Sequence, residues 1–396
     1  MFEKRFSLAH WDNHPNHEDF YNAFKSSAPE YKKEIRDIYF GSEFIYNYKG
    51  EDKRYGEIMG VTATQKQFEQ LLRLQDDCGI ECSLTVNSLN IPREIASDPD
   101  VTQQFVDYIK VYYDLGVRSC TISNTHLMKL GVLQSEFPEM LWKNTVNHQV
   151  KTTQEVYDYA ALGYNTILFD RSLNRDSDLL KEMYREAKKI GCEVSLLASE
   201  SCLPSCPFKR EHDSWQEELQ KSDSNYWQTF SQTCTKWRGV GGRLPRLGTD
   251  MSMATKELVD LFMANTDVMK FSGRISPSVE MKNIRMCWSG AASKKVGVLG
   301  PHDMSPKDFE FADCFEEIYE KELAPYIVDR WLPMGWTHIN NITKNQHAQE
   351  DIELIWATPK GRGLSKILST CKNRCWDCHA CEKVFGVEPF NSALEL

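Results

Sequence analysis

The chain has 396 residues, of which 41% are hydrophobic, with a formal net charge of -10 and an isoelectric point near 5.6. This length suits one large domain with an extension, or two domains. The acidic balance argues against a surface that binds nucleic acid or anionic membrane globally, so any such contact must be local. The N-terminus has no apolar signal segment, and no stretch approaches the roughly 18 apolar residues of a membrane span. We therefore expect a cytoplasmic protein with no membrane partner.

Apolar strand candidates alternate along the chain with segments of helical spacing. The strand candidates are 6–10, 35–40, 82–87, 117–123, 144–148, 165–170, 193–198 and 268–271. The helix candidates are 18–27, 64–78, 101–115, an interrupted 127–142, 153–162, 176–190, 255–265 and 306–323. This alternation predicts parallel βαβ units.

A closed TIM-like (β/α)8 barrel accounts for these units most simply. An open, doubly wound sheet is the alternative, although no glycine-rich dinucleotide fingerprint follows the first strand. We assign residues 1–290 to the barrel, with an irregular insertion at 200–250. Residues 291–396 form a C-terminal extension that ends in a cysteine-rich tail.

Polar residues stand where the predicted strands end, which is the end of such barrels that carries active sites. They are Asn87, Ser123, Asn124, Asn147, His148, Asp170, Arg171, Glu200, Lys270 and Arg274. Each also has a plain structural interpretation, because polar residues commonly begin loops. The sequence therefore predicts a polar rim without deciding which members act chemically.

The chain contains 13 cysteines, and its length argues against a disulfide framework. Those that stand alone are predicted to be buried structural thiols, namely Cys78, Cys82, Cys120, Cys192 and Cys314. The others fall into groups that favour metal binding or redox chemistry.

The first group, Cys202, Cys206 and Cys234, follows the seventh predicted strand in a loop rich in polar residues and proline. Three thiolates need a fourth ligand. Cys287, which follows the eighth strand, is favoured over Cys192, a tail cysteine, His212, water or substrate. An iron with an open position could act as a Lewis acid.

The second group, Cys371, Cys375, Cys378 and Cys381, has the spacing C-x3-C-x2-C-x2-C. Four thiolates this close can hold one four-iron cluster or one tetrahedral zinc ion. The first three also match the bare radical-SAM spacing, but they lie at the end of the chain rather than after an early barrel strand. We expect an iron–sulfur cluster, with zinc as the alternative.

A basic, glycine-containing loop follows Cys234 and carries Lys236, Arg238, Arg243 and Arg246. It could bind a phosphate or carboxylate, or it could be a solvated lid.

Three stretches together resemble the collagenase-like peptidase family U-32. They are Asp170-Arg-Ser-Leu-Asn-Arg-Asp176, Glu200-Ser-Cys202-Leu-Pro-Ser-Cys206-Pro-Phe-Lys, and Lys270-Phe-Ser-Gly-Arg274. The cysteine-rich tail resembles the end of some members, and the resemblance covers roughly residues 60–290 plus the tail. The chain departs from the family pattern at Ser172, where an acidic residue is common, and at Ser201, where glycine is common.

This resemblance implies a TIM-like barrel that holds a four-iron cluster through Cys202, Cys206 and Cys234. It places Asp170, Arg171 and Arg274 at motif positions on the rim. It also implies oxygen-independent hydroxylation of RNA or a small metabolite rather than proteolysis, with prephenate as oxygen donor in some members.

We accordingly expect an enzyme that contains one or two clusters and acts on a small anionic molecule or RNA. Rim carboxylates such as Asp170 or Glu200 would move protons, and Arg171 and Arg274 would orient anionic groups. The alternatives are a collagenase-like metallopeptidase, or a non-catalytic iron–sulfur partner of a homologous barrel protein.

Overall fold

The computed structural model describes residues 6–10, 21, 25, 35–58, 62–199, 206–221, 261, 264–271, 367, 371–372 and 374–380. The strands are β1 (Phe6–Ala9), β2 (Ile35–Gly41), β3 (Glu43–Tyr48), β4 (Glu51–Gly56), β5 (Glu81–Val86), β6 (Ser119–Ile122), β7 (Leu141–Lys143), β8 (Thr166–Leu168), β9 (Glu193–Ser199) and β10 (Val268–Phe271). The helices are α1 (Gln65–Cys78), α2 (Glu94–Ser97), α3 (Pro99–Asp114), α4 (Thr125–Leu130), α5 (Val132–Glu136), α6 (Thr153–Ala161), α7 (Ser177–Lys189), α8 (Lys209–Lys221) and α9 (Cys375–Cys378). Short 3-10 turns cover Val146–His148 and Arg171–Arg175.

Eight parallel strands close into a barrel in the order β1-β10-β9-β8-β7-β6-β5-β2. This confirms the predicted TIM-like (β/α)8 fold, with helices between successive strands as the alternation required. The predicted helix at 127–142 is two short helices, α4 and α5, separated at Gly131 with φ +74°. No helix in the described ranges is long and apolar enough to cross a bilayer.

The predicted fifth strand at 144–148 is wrong. The barrel strand is Leu141–Lys143, and Val146–His148 forms a 3-10 turn instead. The side chain of Asn144 ends the ladder: its Oδ1 accepts a hydrogen bond from the Leu168 backbone N–H at 2.5 Å, and its Nδ2 donates to the Leu168 carbonyl at 3.2 Å. An asparagine amide thereby replaces the backbone pairing that would have extended the strand.

A β-hairpin formed by β3 and β4 follows the second barrel strand, and the sequence analysis did not predict it. Its two-residue turn has Lys49 at φ +55° and Gly50 at φ +84°. Two successive positive φ angles are the conformation that matches the twist of paired strands. Phe44 and Tyr46 of β3 stack with their ring centroids 4.6 Å apart, and both are buried.

The helices begin at side-chain caps that the sequence makes available. Thr64 caps α1 and Thr152 caps α6, each in a reciprocal capping box with Gln67 and Glu155 respectively. These caps satisfy N–H groups that the first helical turn leaves without partners. They fix the residue at which each of these two outer helices begins.

The residues of strand β5 alternate between the hydrophobic core outside the barrel and the barrel interior. In β5, Cys82, Leu84 and Val86 belong to the hydrophobic core between sheet and helices. Ser83 and Thr85, which alternate with them, are buried on the other face of the strand. On β5, therefore, hydroxyl groups face the barrel interior, where bulky branched side chains are usual.

Candidate functional site

A buried ion pair crosses the barrel interior. The Lys143 ammonium, at the end of β7, donates to the Asp37 carboxylate on β2, and also to the Ser83 hydroxyl on β5 at 3.2 Å. Asp37 is 1% exposed, and the hydroxyl of Ser7 on β1 donates to its other oxygen at 2.5 Å. Since β2 and β7 are not neighbours, this contact passes through the interior. The cluster ties four strands together.

Asp37 is held ionised. Burial alone would raise its pKa, but the charge of Lys143, its hydrogen bond, the Ser7 hydrogen bond and the charge of Lys270 outweigh that effect. The pKa of Asp37 therefore lies below its ordinary value. The site presents a fixed carboxylate between ammonium groups, and Lys143 is oriented by it.

Lys270 on β10 is the second interior cation. Its ammonium lies over the ring of Tyr39, 3.9 Å from the centroid. An ammonium at this distance is attracted by the aromatic face. Ser7 pairs with both Asp37 and Lys270 in the strand register, so the two charged residues lie on the strands either side of Ser7 and on the same face of the sheet.

An ion-pair bridge lies across the N-terminal end of the barrel. Arg36 on β2 contacts Glu81 on β5 at 2.8 Å and Glu193 on β9 at 3.6 Å. Strands β1 and β10 separate β2 from β9, so the guanidinium spans this opening. We expect a ligand of the interior to enter from the opposite, C-terminal end.

Several predicted rim residues hold loops in place. Asn87 accepts a hydrogen bond from the Ile58 backbone N–H at 2.9 Å, which fixes the chain after the hairpin. Ser123 donates to the Ser88 carbonyl at 2.5 Å and lies 2.8 Å from the Tyr55 hydroxyl of β4. Asn87 and Ser123 therefore stabilise loops at the rim, which is the structural role that the sequence allowed for such residues.

Asn124 and Asp170 also act as caps. Asn124 accepts a hydrogen bond from the Leu127 backbone N–H at 3.0 Å at the start of α4. Asp170 Oδ1 accepts a hydrogen bond from the Ser172 N–H at 2.9 Å. Asp170 and Arg171 are 8% and 5% exposed, so both lie below the surface of the rim.

His148 is half-buried at the rim between aromatic rings. Its centroid lies 5.0 Å from that of Tyr159 and 6.2 Å from that of Tyr164. Its Nε2 is 3.0 Å from the Ser123 carbonyl, which can only accept, so Nε2 carries the proton in the neutral ring. Burial lowers the pKa of His148 to about 4, although the Ser123 hydrogen bond opposes the shift.

The pKa of His148 predicts an acid-sensitive stability. Because the pKa is about 4 in the fold and 6.5 ordinarily, the unfolded chain binds more protons between these values. Stability is therefore full above pH 6.5 and falls by about 3 kcal/mol as the pH drops to 4. Urea unfolding across this window should show a weaker pH dependence in His148→Phe. Replacing the exposed His126 with Phe should preserve the wild-type slope, and an unchanged slope in His148→Phe would contradict the assignment.

Cys206 lies half-buried just before α8, and α8 rests on the C-terminal rim. Lys209, in its first turn, pairs with Asp213 and reaches Asn147 after β7 at 3.4 Å. Further along α8, the Ser214 carbonyl accepts from Asn90 after β5 at 2.6 Å. The helix thus fixes the segment after Cys206 over the end of the barrel. His212, a possible ligand in the sequence, lies on this helix.

The cysteine-rich tail also reaches the rim. Lys372, next to Cys371, forms a 3.0 Å ion pair with Asp176, at the end of the turn that follows Asp170 and Arg171. These residues are 196 positions apart in the chain. The fold thereby brings the tail group to the same end of the barrel as Cys206.

The candidate thiols are only partly within the described ranges. Cys206, Cys371 and Cys378 are free thiols, and Cys375 begins α9. Glu200, Cys202, Cys234, Arg274, Cys287, Cys314, Cys381 and the loop 236–246 lie outside the described residues. Within the described part of the chain, no cluster of three or more His, Cys, Asp or Glu side chains could hold a metal ion.

Three of the four described single cysteines are buried, as predicted. Cys82, Cys120 and Cys192 are buried, burial raises the pKa of each thiol, and Cys78 is half-buried. Cys192 precedes β9 and donates to the Tyr164 carbonyl at 3.6 Å. It therefore lies at the end of the barrel opposite to Cys206, which removes it from the possible fourth ligands.

The two central residues of the interior, Asp37 and Lys143, are not among the site residues predicted from the sequence. Asp37 interrupts the apolar run Ile35-Arg-Asp-Ile-Tyr-Phe40, and an acid inside a buried strand must be paired. That signal was available. Lys143 was not identified because the predicted strand, 144–148, begins one residue after the observed strand ends.

Comparisons with known proteins add the following. No family model and no curated protein matches the chain. Among solved structures, the U32 peptidase Mk0906 is similar over 56% of this chain and 81% of that one, with 13% identity and a TM-score of 0.39. The carboxyl transferase domain of Rhizobium etli pyruvate carboxylase with 3-hydroxypyruvate is similar over 94% of this chain, with 8% identity and a TM-score of 0.35. The chain spans 60% of that structure. At these values the likenesses carry no argument about function.

Proposed function

We propose that this protein is an iron–sulfur enzyme of the U-32 type that modifies a small anionic molecule or RNA by oxygen-independent hydroxylation. The observation that carries the proposal is the Lys372–Asp176 ion pair at 3.0 Å. It brings the tail cysteines to the barrel end where Cys206 emerges. A group bound by either set of thiols would therefore lie close to the rim rather than on a remote appendage.

The cysteines of the tail are chemically suited to bind an iron–sulfur cluster. Cys371, Cys375, Cys378 and Cys381 are four sulfur donors within eleven residues, and the thiols of Cys371 and Cys378 are not in disulfides. Four cysteine thiolates are the ordinary ligands of a four-iron cluster. When bound, such a cluster supplies electrons, or a Lewis-acidic iron if one position lacks a protein ligand.

The chain's own residues would bind and orient the substrate. Lys143, held by Asp37, and Lys270 offer two ammonium groups to an anion inside the barrel. Asp170 could move a proton through the carboxylate oxygen that is not used in capping. Arg171 and Arg274 would orient anionic groups of the substrate, and Glu200 would be a second carboxylate able to move a proton.

Metal analysis of protein purified without oxygen tests this proposal. We expect about eight irons and as many sulfides per chain, four for each cysteine group. Cys378→Ser and Cys202→Ser should each lose about half of the iron. Cys78→Ala, which changes a half-buried cysteine outside both groups, should lose none.

Other outcomes separate the alternatives. Zinc without sulfide would overturn the redox proposal and favour a metallopeptidase or a structural site. A full iron content in both serine variants would remove the cysteine groups from the assignment. Full iron content with substrate turnover only in the presence of a second barrel protein would favour the non-catalytic partner.

A further inference from the structure

Helix α8 is anchored on the side of the barrel opposite to the strand that precedes it. The chain leaves the barrel at the end of β9, and Cys206 stands shortly before α8. The first turn of α8 contacts Asn147, after β7, and the following turn contacts Asn90, after β5. In the closed order of eight strands, β5 stands four places from β9, on the opposite side of the ring. The helix that follows Cys206 is therefore held against the far part of the C-terminal rim.

The face that α8 presents to the barrel is charged. Among residues 209–215, whose side chains the structure describes, only Lys209 and Asp213 are buried, and they form an ion pair one turn apart. The outer helix α7 instead buries Leu180, Met183 and Ala187. A buried ion pair contributes little net stability, but it can select one arrangement among several. The pair therefore suits a helix whose position matters more than its contribution to the core.

Lys209 connects this ion pair to the backbone of Cys206. Its backbone N–H donates to the Cys206 carbonyl at 3.2 Å, and its ammonium donates to Asn147 Oδ1 at 3.4 Å. Asp213 holds the same ammonium from the next turn of the helix. The Cys206 thiol is half-buried and is not in a disulfide. A change that releases the Lys209 side chain would also release the backbone that carries this thiol.

We propose that Lys209 is a positioning residue, which fixes the Cys206 thiol at the barrel rim through its ion pair with Asp213 and its bond to Asn147. The inference rests on the proposed function in one respect, because it treats Cys206 as a ligand of the barrel cluster. Groups that orient metal ligands commonly account for about 10- to 100-fold in metal affinity. Loss of the Lys209 ammonium should therefore free Cys206 and weaken the cluster while the barrel stays folded.

Pulsed alkylation of the full chain, purified without oxygen, tests the placement of the thiol. Lys209→Met combined with Asp213→Asn removes both charges, so that neither is left buried alone. Iodoacetamide should then modify Cys206 about tenfold faster than in the wild type, the effect of losing one hydrogen bond to a charged group. Cys78, which is half-buried at the end of α1, should react at the wild-type rate. Lys209→Arg keeps a cation beside Asp213 and should retain the slow alkylation of the wild type.

A matched control changes an ion pair of the same residue types and spacing. Lys110→Met combined with Asp114→Asn acts on an exposed pair of α3 and should leave the Cys206 rate unchanged. Mass spectrometry of the individual cysteine peptides measures each rate. A wild-type Cys206 rate in the variant without the buried charges would overturn the inference. An equal rise at Cys78 would also overturn it, because the whole fold would then have loosened.

Iron content, measured on the same samples, separates this inference from the proposed function. The variant without the buried charges should lose the irons of the barrel group at a chelator concentration at least about tenfold below that needed for the wild type. If the wild type holds no iron and Cys206 still reacts faster in the variant, the positioning role holds and the iron–sulfur proposal fails. If the wild type holds two clusters and the Cys206 rate does not change, the proposed function stands and this inference fails.

Discussion

Replacing Asp37 with Asn is expected to lower the free energy of unfolding by about 3–5 kcal/mol. The change keeps the size of the side chain but leaves the Lys143 ammonium in the barrel without its carboxylate. Asp37 is 1% exposed and the Lys143 side chain 12%, so water cannot restore the lost interaction. Urea unfolding at pH 7 measures the effect.

A double-mutant cycle separates the interaction free energy between Asp37 and Lys143 from the cost of replacing each residue alone. Asp37→Asn with Lys143→Met removes both charges, so it should be less destabilised than the two single variants added together. The control is Asp114→Asn, which breaks the Lys110–Asp114 pair on α3, whose side chains are 58% and 57% exposed. That change should cost no more than about 0.5 kcal/mol. Additive single effects in the barrel pair would show that the two charges do not interact.

The same pair predicts the behaviour at low pH. Because the fold lowers the pKa of Asp37, its contribution to stability is fully present above the ordinary value of 3.8. It is lost as the pH falls through the lowered pKa in the folded state. This loss lies at more acidic pH than the window of His148, so the two titrations can be told apart.

Phe105→Ala is expected to cost about 3–5 kcal/mol through the cavity it leaves. Phe105 on α3 is fully buried, and its ring lies 5.2 Å from that of Phe44 and 5.9 Å from that of Tyr55. These partners come from the two strands of the hairpin. The substitution should therefore loosen the hairpin from the barrel as well as reduce global stability.

The control for this change lies on the same helix. Val111 is 57% exposed, and Val111→Ala should alter the free energy of unfolding by no more than about 0.5 kcal/mol. Hydrogen exchange of the β3 and β4 amides should rise in Phe105→Ala and stay unchanged in Val111→Ala. A loss below about 1 kcal/mol in Phe105→Ala would mean that the hairpin does not pack against α3 as described.

The repeating pattern of this sequence determined the barrel. Apolar strands alternating with amphipathic helices leave few arrangements that cover both faces of a parallel sheet. The buried single cysteines were also readable, because the apolar pattern around each lies within a few positions. The sequence by itself thus determined the class of fold and the end of the barrel that carries the polar rim.

Only the tertiary structure decided which polar residues share a site. Whether Ser123 caps a loop or faces a ligand depends on Tyr55 and Ser88, which are distant in the chain. The Asp37–Lys143 pair joins residues 106 positions apart, and the Lys372–Asp176 pair joins residues 196 apart. Local patterns report which face of a strand is buried. They cannot report which charged groups closure of the barrel brings together, because that depends on the register of all eight strands.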